Sequence, residues 1–86
     1  MKPVFSLETT THFDRAFRKL ARRRPDLISR YAQAIVILKT DPYNSSRSHP
    51  IKKLVGVPAA QGEYRLRLSW FRFRYDVQGR VVYLKA

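Results

Sequence analysis

Between residues 63 and 77 the chain reads "EYRLRLSWFRFRYDV". Arg65, Arg67, Arg72 and Arg74 stand at every second position on either side of a short interruption. Tyr64, Leu66, Leu68, Phe71, Phe73, Tyr75 and Val77 fill the places between. Arginine grips phosphate through two parallel hydrogen bonds and stacks on bases. Four guanidinium groups in one short segment therefore suit an anion spread over several ångströms. The whole chain leans the same way, with 18 Lys and Arg against 6 Asp and Glu, a formal charge of +12 on 86 residues. Such an excess points to a polyanionic partner: nucleic acid, an acidic membrane surface or an acidic protein.

Other chemistries find little support. There is no cysteine, so thiolate and disulfide chemistry are excluded. The two histidines stand apart, His12 at a helix start and His49 in a Ser-rich loop, and neither has the partners of a nucleophilic triad. No Cys, His or carboxylate cluster has metal-ligand spacing, so neither metal nor cofactor is expected. Three glycines make no phosphate-cradling loop. "MKPVFSLETTTHF" has no apolar stretch of signal-peptide length, and no run approaches a membrane span. The expectation is one domain over residues 1–86, working in the cytosol without a membrane partner.

The elements that must position the arginines follow from periodicity. "PVFSL", residues 3–7, suits an edge strand. Phe13, Ala16, Phe17 and Leu20 repeat at helical spacing, with Arg15, Arg18, Lys19 and Arg22 on the other face. Thr11 and Asp14 resemble a capping box for that helix. Pro25 then interrupts the pattern and suits the first position of a second helix. There Leu27, Ile28, Tyr31, Ala34, Ile35 and Leu38 form a broad apolar stripe, with Asp26 near the start and Lys39 near the end. The short "RRRPD" junction implies an antiparallel helical hairpin. "DPYNSSRSHP" reads as a loop.

From Ile51 the period changes to two. "IKKLV" suits a short strand, and "EYRLRL", "FRFRYDV" and "RVVYLKA" suit an antiparallel meander, the last two joined by a turn at "QG". The fold class is thus α+β: an N-terminal strand, a helical hairpin on one face of a mainly antiparallel sheet, and a C-terminal meander. A turn at Ser69 and Trp70 would set Leu68 against Phe71, Leu66 against Phe73 and Tyr64 against Tyr75 on the covered face. It would also set Arg67 against Arg72, Arg65 against Arg74 and Glu63 against Asp76 on the other. Directly opposed like charges each cost about 0.2–1 kcal/mol. The pattern is poor for folding and good for binding an anion. Lys52 and Lys53 can add to the cationic surface, and Trp70 is a stacking platform or a cap on the core.

The segments "RRRPDLISRYAQAIVIL-DP", "HPIKKLVG" and "GEYRLRLSWFRFRYDVQGRVVYLKA" together resemble the RelE/ParE superfamily of bacterial type II toxins, over almost the whole chain. The hairpin "YRLRLSWFRFRYDV" is the most specific part. The resemblance implies a RelE-like microbial RNase toxin fold and a toxin neutralised by a cognate antitoxin protein. RelE-like members are ribosome-dependent endoribonucleases that cut mRNA in the A site without a metal; ParE-like members poison DNA gyrase. Carried over, Arg65, Arg67 and Arg72 would hold and activate the scissile phosphate. Arg74, Lys52, Lys53 and Trp70 would contact RNA nearby. The dense positive charge would also lower the pKa of a nearby Lys or Tyr. RelE-like chains usually continue past the last strand with a basic segment and a tyrosine. This sequence stops at "VVYLKA", which also leaves an inactive, antitoxin-binding form as an alternative.

Overall fold

The computed structural model describes residues 4–58 and 60–85. Seven elements follow in order: β1 (Ser6–Thr9), α1 (Thr11–Arg23), α2 (Asp26–Thr40), β2 (Ile51–Lys53), β3 (Tyr64–Leu68), β4 (Phe71–Gln78) and β5 (Val81–Leu84). They make an α+β fold in which two helices pack with one five-stranded mixed sheet of order β1-β5-β4-β3-β2. β2, β3, β4 and β5 pair antiparallel with their neighbours, whereas β1 runs parallel to β5.

Two helix starts are local decisions. The Thr10 hydroxyl accepts from the Phe13 N–H at 3.0 Å and caps α1. The cap is therefore Thr10, one residue before the expected Thr11, because Thr10 is the residue with extended backbone. Pro25 takes helical dihedrals immediately ahead of α2. The strand expected at 3–7 begins later, at Ser6. The N–H groups of Val4 and Phe5 are both spent on the Lys39 carbonyl at the end of α2, and ladder bonding starts with the Ser6 N–H on the Arg80 carbonyl. Residue 3 lies outside the described residues. The second meander turn is also shifted: Gln78 pairs with Val81, so Gly79 and Arg80 make the turn, with Gly79 at φ +59°.

The core lies between the helices and the inner face of the sheet. Leu66, Phe73, Tyr75, Val82 and Leu84 from the strands meet Phe13, Leu27, Ala34 and Leu38 from the helices, all buried. Each such large apolar side chain contributes about 1.5–3 kcal/mol on burial. An aromatic chain knits the layers: Phe17 and Tyr31 join the helices at 4.6 Å between ring centroids, and Tyr31 reaches Phe73 at 6.2 Å. The stripe expected on α2 is only partly inward. Ile28 is 60% exposed, because it lies on the solvent side of the first turn while Leu27 beside it is buried.

Candidate anion-binding face

The strand register sets the arginine geometry. β3 and β4 pair Arg65 with Arg74 and Arg67 with Arg72, and the inner face pairs Tyr64 with Tyr75, Leu66 with Phe73 and Leu68 with Phe71. Ser69, at φ +58°, and Trp70 form the turn. The Arg67 N–H donates to the Pro50 carbonyl, and the Arg74 carbonyl accepts from the Lys85 N–H. Both arginines therefore turn their main chains away from the β3–β4 seam. With side chains alternating by two, Arg65–Arg74 and Arg67–Arg72 are non-hydrogen-bonded pairs, the sites where opposed side chains come closest. The like-charge pairs occupy the tighter of the two pair types.

The four arginines are not equivalent. Arg74 is spoken for. Its Nε and Nη2 donate to the Gly62 carbonyl at 3.1 and 2.9 Å, and Nη2 donates to the Gln61 carbonyl at 3.0 Å. The same loop is held from its other side by Asp76, which is 4% exposed and accepts from the N–H groups of Gly62 and Glu63 at 2.8 and 2.9 Å. Arg74 and Asp76 thus clasp the connection between β2 and β3 onto the outer face. Asp76, expected opposite Glu63, turns its carboxylate onto the backbone amides of Gly62 and Glu63. Arg65, Arg67 and Arg72 make no ion pair among the described residues, and Arg67 and Arg72 are exposed.

The neighbours sort by strand alternation. Lys52 pairs with Arg65 and shares its face, so Lys52, Arg65 and Arg74 form a row across three strands. Lys85, whose N–H bonds Arg74, continues that row and was not picked out from sequence. Only the β5 register could have located it. Lys53 pairs with Tyr64 and so alternates to the opposite face, and its ammonium reaches Glu63 at 3.5 Å. Trp70 is 77% exposed at the hairpin tip and lines, with Arg72, Leu20 and Phe71, an apolar crevice of about 170 Å³ between α1 and the tip. It is no cap on the core. Within the "RRR" run, Arg24 has a structural role, with its guanidinium 5.3 Å from the Phe71 ring and 3.2 Å from Asp26.

Proton-transfer groups are less well provided. Burial raises the phenols of Tyr31, Tyr64 and Tyr75, with nearby carboxylates or phenols adding to it, while Lys53 partly offsets the rise at Tyr64. Tyr75 is the most affected and donates its hydroxyl to the Pro42 carbonyl at 2.6 Å. These three inner tyrosines, off the arginine face, move away from neutral-pH acid–base work. Tyr83 lies on the outer face, opposite Asp76, with the Lys85 ammonium 5.9 Å from its ring centroid. His49 turns toward Asp41, at 3.9 Å. Among the described residues no group of three or more His, Asp or Glu is arranged to hold a metal ion.

Helix α1 carries its cations differently. Arg15, Arg18, Lys19 and Arg22 are all exposed and include like-charge pairs three and four residues apart. Each such pair costs a helix about 0.2–0.5 kcal/mol. No helix among the described residues is long and apolar enough to cross a membrane. No family model, curated protein or solved structure matches the chain.

Proposed function

We propose that this chain is the toxin component of a type II toxin–antitoxin system, with a RelE-like toxin fold, including its antiparallel helical hairpin, and a ribosome-dependent mRNA endonuclease activity in the cytosol. The observation that carries the reading is the trio Arg65, Arg67 and Arg72 on one sheet face, free of ion pairs among the described residues, in the closest-approach register. The like-charge arrangement opposes folding and matches a dianionic phosphorane-like transition state.

The reaction is a transesterification. The ribose 2′-oxygen loses its proton and forms a bond to the adjacent phosphorus. The bond from phosphorus to the 5′-oxygen breaks, and that oxygen takes up a proton. Arg67 and Arg72 hold the non-bridging oxygens, whose negative charge grows as the new bond forms, and Arg65 on β3 with Lys52 on β2 adds field from beside them. Trp70, exposed beside Arg72, offers a stacking surface to a neighbouring base. An antitoxin would mask this face or the helices, and the exposed Ile28 and Val36 of α2 give an amphipathic segment an apolar foothold.

The test pairs primer extension on an mRNA under translation with a gyrase supercoiling assay, both with Arg72→Ala as control. Cleavage within codons, lost in Arg72→Ala at unchanged thermal stability, is the expected result. Gyrase inhibition with intact mRNA would assign the ParE-like activity instead. Inactivity in both assays, with retained binding of an antitoxin, would leave the antitoxin-binding form.

A further inference from the structure

Helix α1 presents a second cationic surface, on the side of the molecule away from the sheet arginines. Successive residues of a helix turn by about 100°. Phe13, Ala16, Phe17 and Leu20 therefore centre on one side of α1, and Arg15, Arg18, Lys19 and Arg22 on the diametrically opposite side. The apolar side packs inward, through Phe13 and Phe17 on Tyr31, which reaches Phe73 on the inner sheet face. The four cations line one shallow groove and are exposed. None takes part in an ion pair among the described residues. Arg18 is laid along the helix by a 3.4 Å hydrogen bond from its Nε to the Asp14 carbonyl. Arg67 and Arg72 leave from the outer face of the sheet, so the two cationic surfaces look in opposite directions.

We infer that the α1 ridge is a second nucleic-acid contact, which grips the phosphate backbone of a duplex while the sheet arginines engage another segment, so that the protein bridges the two. From Arg15 to Arg22 the ridge rises through seven residue steps, about 10.5 Å at 1.5 Å per residue. That covers about three phosphate steps of 3.4 Å along one strand. Its chemistry also selects the partner. A protein interface needs apolar or aromatic anchors at its centre, and single strands are held by stacking on aromatic rings. The outward side of α1 offers Thr11, Arg15, Arg18, Lys19 and Arg22 and no apolar side chain. A duplex backbone asks only for cations in line. The ridge shares no residue with the proposed phosphate site, and the inference stands apart from the cleavage activity.

The experiment measures binding of a short fluorescein-labelled RNA duplex, and of the DNA duplex of the same sequence, by anisotropy over a range of KCl. The wild-type chain is compared with Arg15→Gln/Arg18→Gln/Lys19→Gln/Arg22→Gln and with Arg67→Gln/Arg72→Gln. Glutamine keeps helix propensity. The ridge variant is expected to lose affinity on the order of tenfold or more at low salt. Its slope of log K against log[KCl] should fall by about two to four, at roughly 0.7–0.9 for each phosphate that is no longer neutralised. The sheet variant should keep the ridge share of the slope. Binding of RNA alone or of both duplexes identifies the backbone recognised. Donor- and acceptor-labelled duplexes should show energy transfer on the wild-type protein and none on the ridge variant. If circular dichroism shows the fourfold variant to be unfolded, Arg15→Gln/Arg18→Gln and Lys19→Gln/Arg22→Gln should each remove about half of the slope change. Unchanged affinity and slope in folded ridge variants would overturn the inference, and would leave the phosphate site of the sheet untouched.

Discussion

Gly62 is the position where a single methyl group should expose the Arg74–Asp76 clasp. A Cβ at Gly62 would lie 3.0 Å from Arg74 Nε, 3.2 Å from its Cβ and 3.4 Å from its Cζ, and the residue sits at φ +75°. Two costs follow in Gly62→Ala. The left-handed backbone costs an L residue about 1–2 kcal/mol. The guanidinium must also move from carbonyls it bonds at 2.9–3.1 Å, and losing hydrogen bonds from a charged donor costs about 1–3 kcal/mol. Gly62→Ala should therefore destabilise by about 2–5 kcal/mol, a large share of the ~4–13 kcal/mol expected for a domain of this size. Urea unfolding followed by far-ultraviolet circular dichroism reads this. Trp70 fluorescence does not serve, because the indole is 77% exposed in the folded state. A double-mutant cycle with Arg74→Ala separates the two costs. With the guanidinium removed, the alanine at 62 should retain the backbone cost of about 1–2 kcal/mol and its close contact with the Cβ of residue 74. Full additivity in the cycle, or a Gly62→Ala loss below about 0.5 kcal/mol, would show that Arg74 does not hold the loop, and the assignment of Arg74 to structure would fall.

Two further outcomes follow from the same geometry. Arg67→Thr removes one of two opposed guanidinium groups at an exposed strand position. It should leave stability unchanged or raise it by about 0.2–1 kcal/mol, and the gain should shrink in high salt as screening removes the repulsion. A loss above about 1 kcal/mol in urea melts would show that the pair is not repulsive in the folded state. Asp41 accepts from the Ser46 hydroxyl and from the N–H groups of Ser45 and Ser46, chiefly the hydroxyl, and these bonds hold its carboxyl below the usual range. A depressed folded pKa means stability that is present above the unfolded value and is lost as pH falls through the folded one. Stability should therefore decline on acidification below the ordinary carboxylate range. Asp41→Asn should flatten that limb of the pH–stability curve, and an unaltered limb would exclude Asp41 as a contributor.

Periodicity revealed most of the sheet because each strand there buries one face. Alternation in "YRLRL" and "FRFRYDV" specified the pairing of Arg67 with Arg72 and Arg65 with Arg74, since a slip by one would have turned Leu66 and Phe73 to solvent. It equally separates Lys52 from Lys53, but only once Ile51 is known to pair with Leu66. Alternation could not show what covers the outer face. Asp76 and Arg74 bind main-chain groups of Gln61, Gly62 and Glu63, and backbone partners leave no mark in residue type beyond the glycine itself. Helical periodicity was misled at Ile28 for a related reason: apolar character marks candidates for burial, and α2 has more apolar residues than one packed face can take. The cap at Thr10 and the turn at Gly79–Arg80 were each misplaced by one residue, where several neighbouring Thr or turn-forming residues compete for the same job.

The six acidic residues explain why so much positive charge stays available. Asp41 and Asp76 accept from backbone amides of neighbouring loops. Asp26 and Glu63 pair with Arg24 and Lys53, cations away from the trio on the sheet. Asp14 acts on the Tyr31 phenol, and Glu8 is exposed on the far edge strand β1. None forms an ion pair with Arg65, Arg67 or Arg72 among the described residues. An acidic residue at position 72 would have converted repulsion across the Arg67–Arg72 pair into attraction at no cost to the inner face. Folding accounts for Arg74 through its loop contacts but gives no reason for the Arg67–Arg72 pair, whose repulsion a phosphate resting on the outer face relieves. Relief of strain already present in the free protein adds to the direct hydrogen bonds, so these arginines should bind a spread anion more tightly than the same number scattered over the surface.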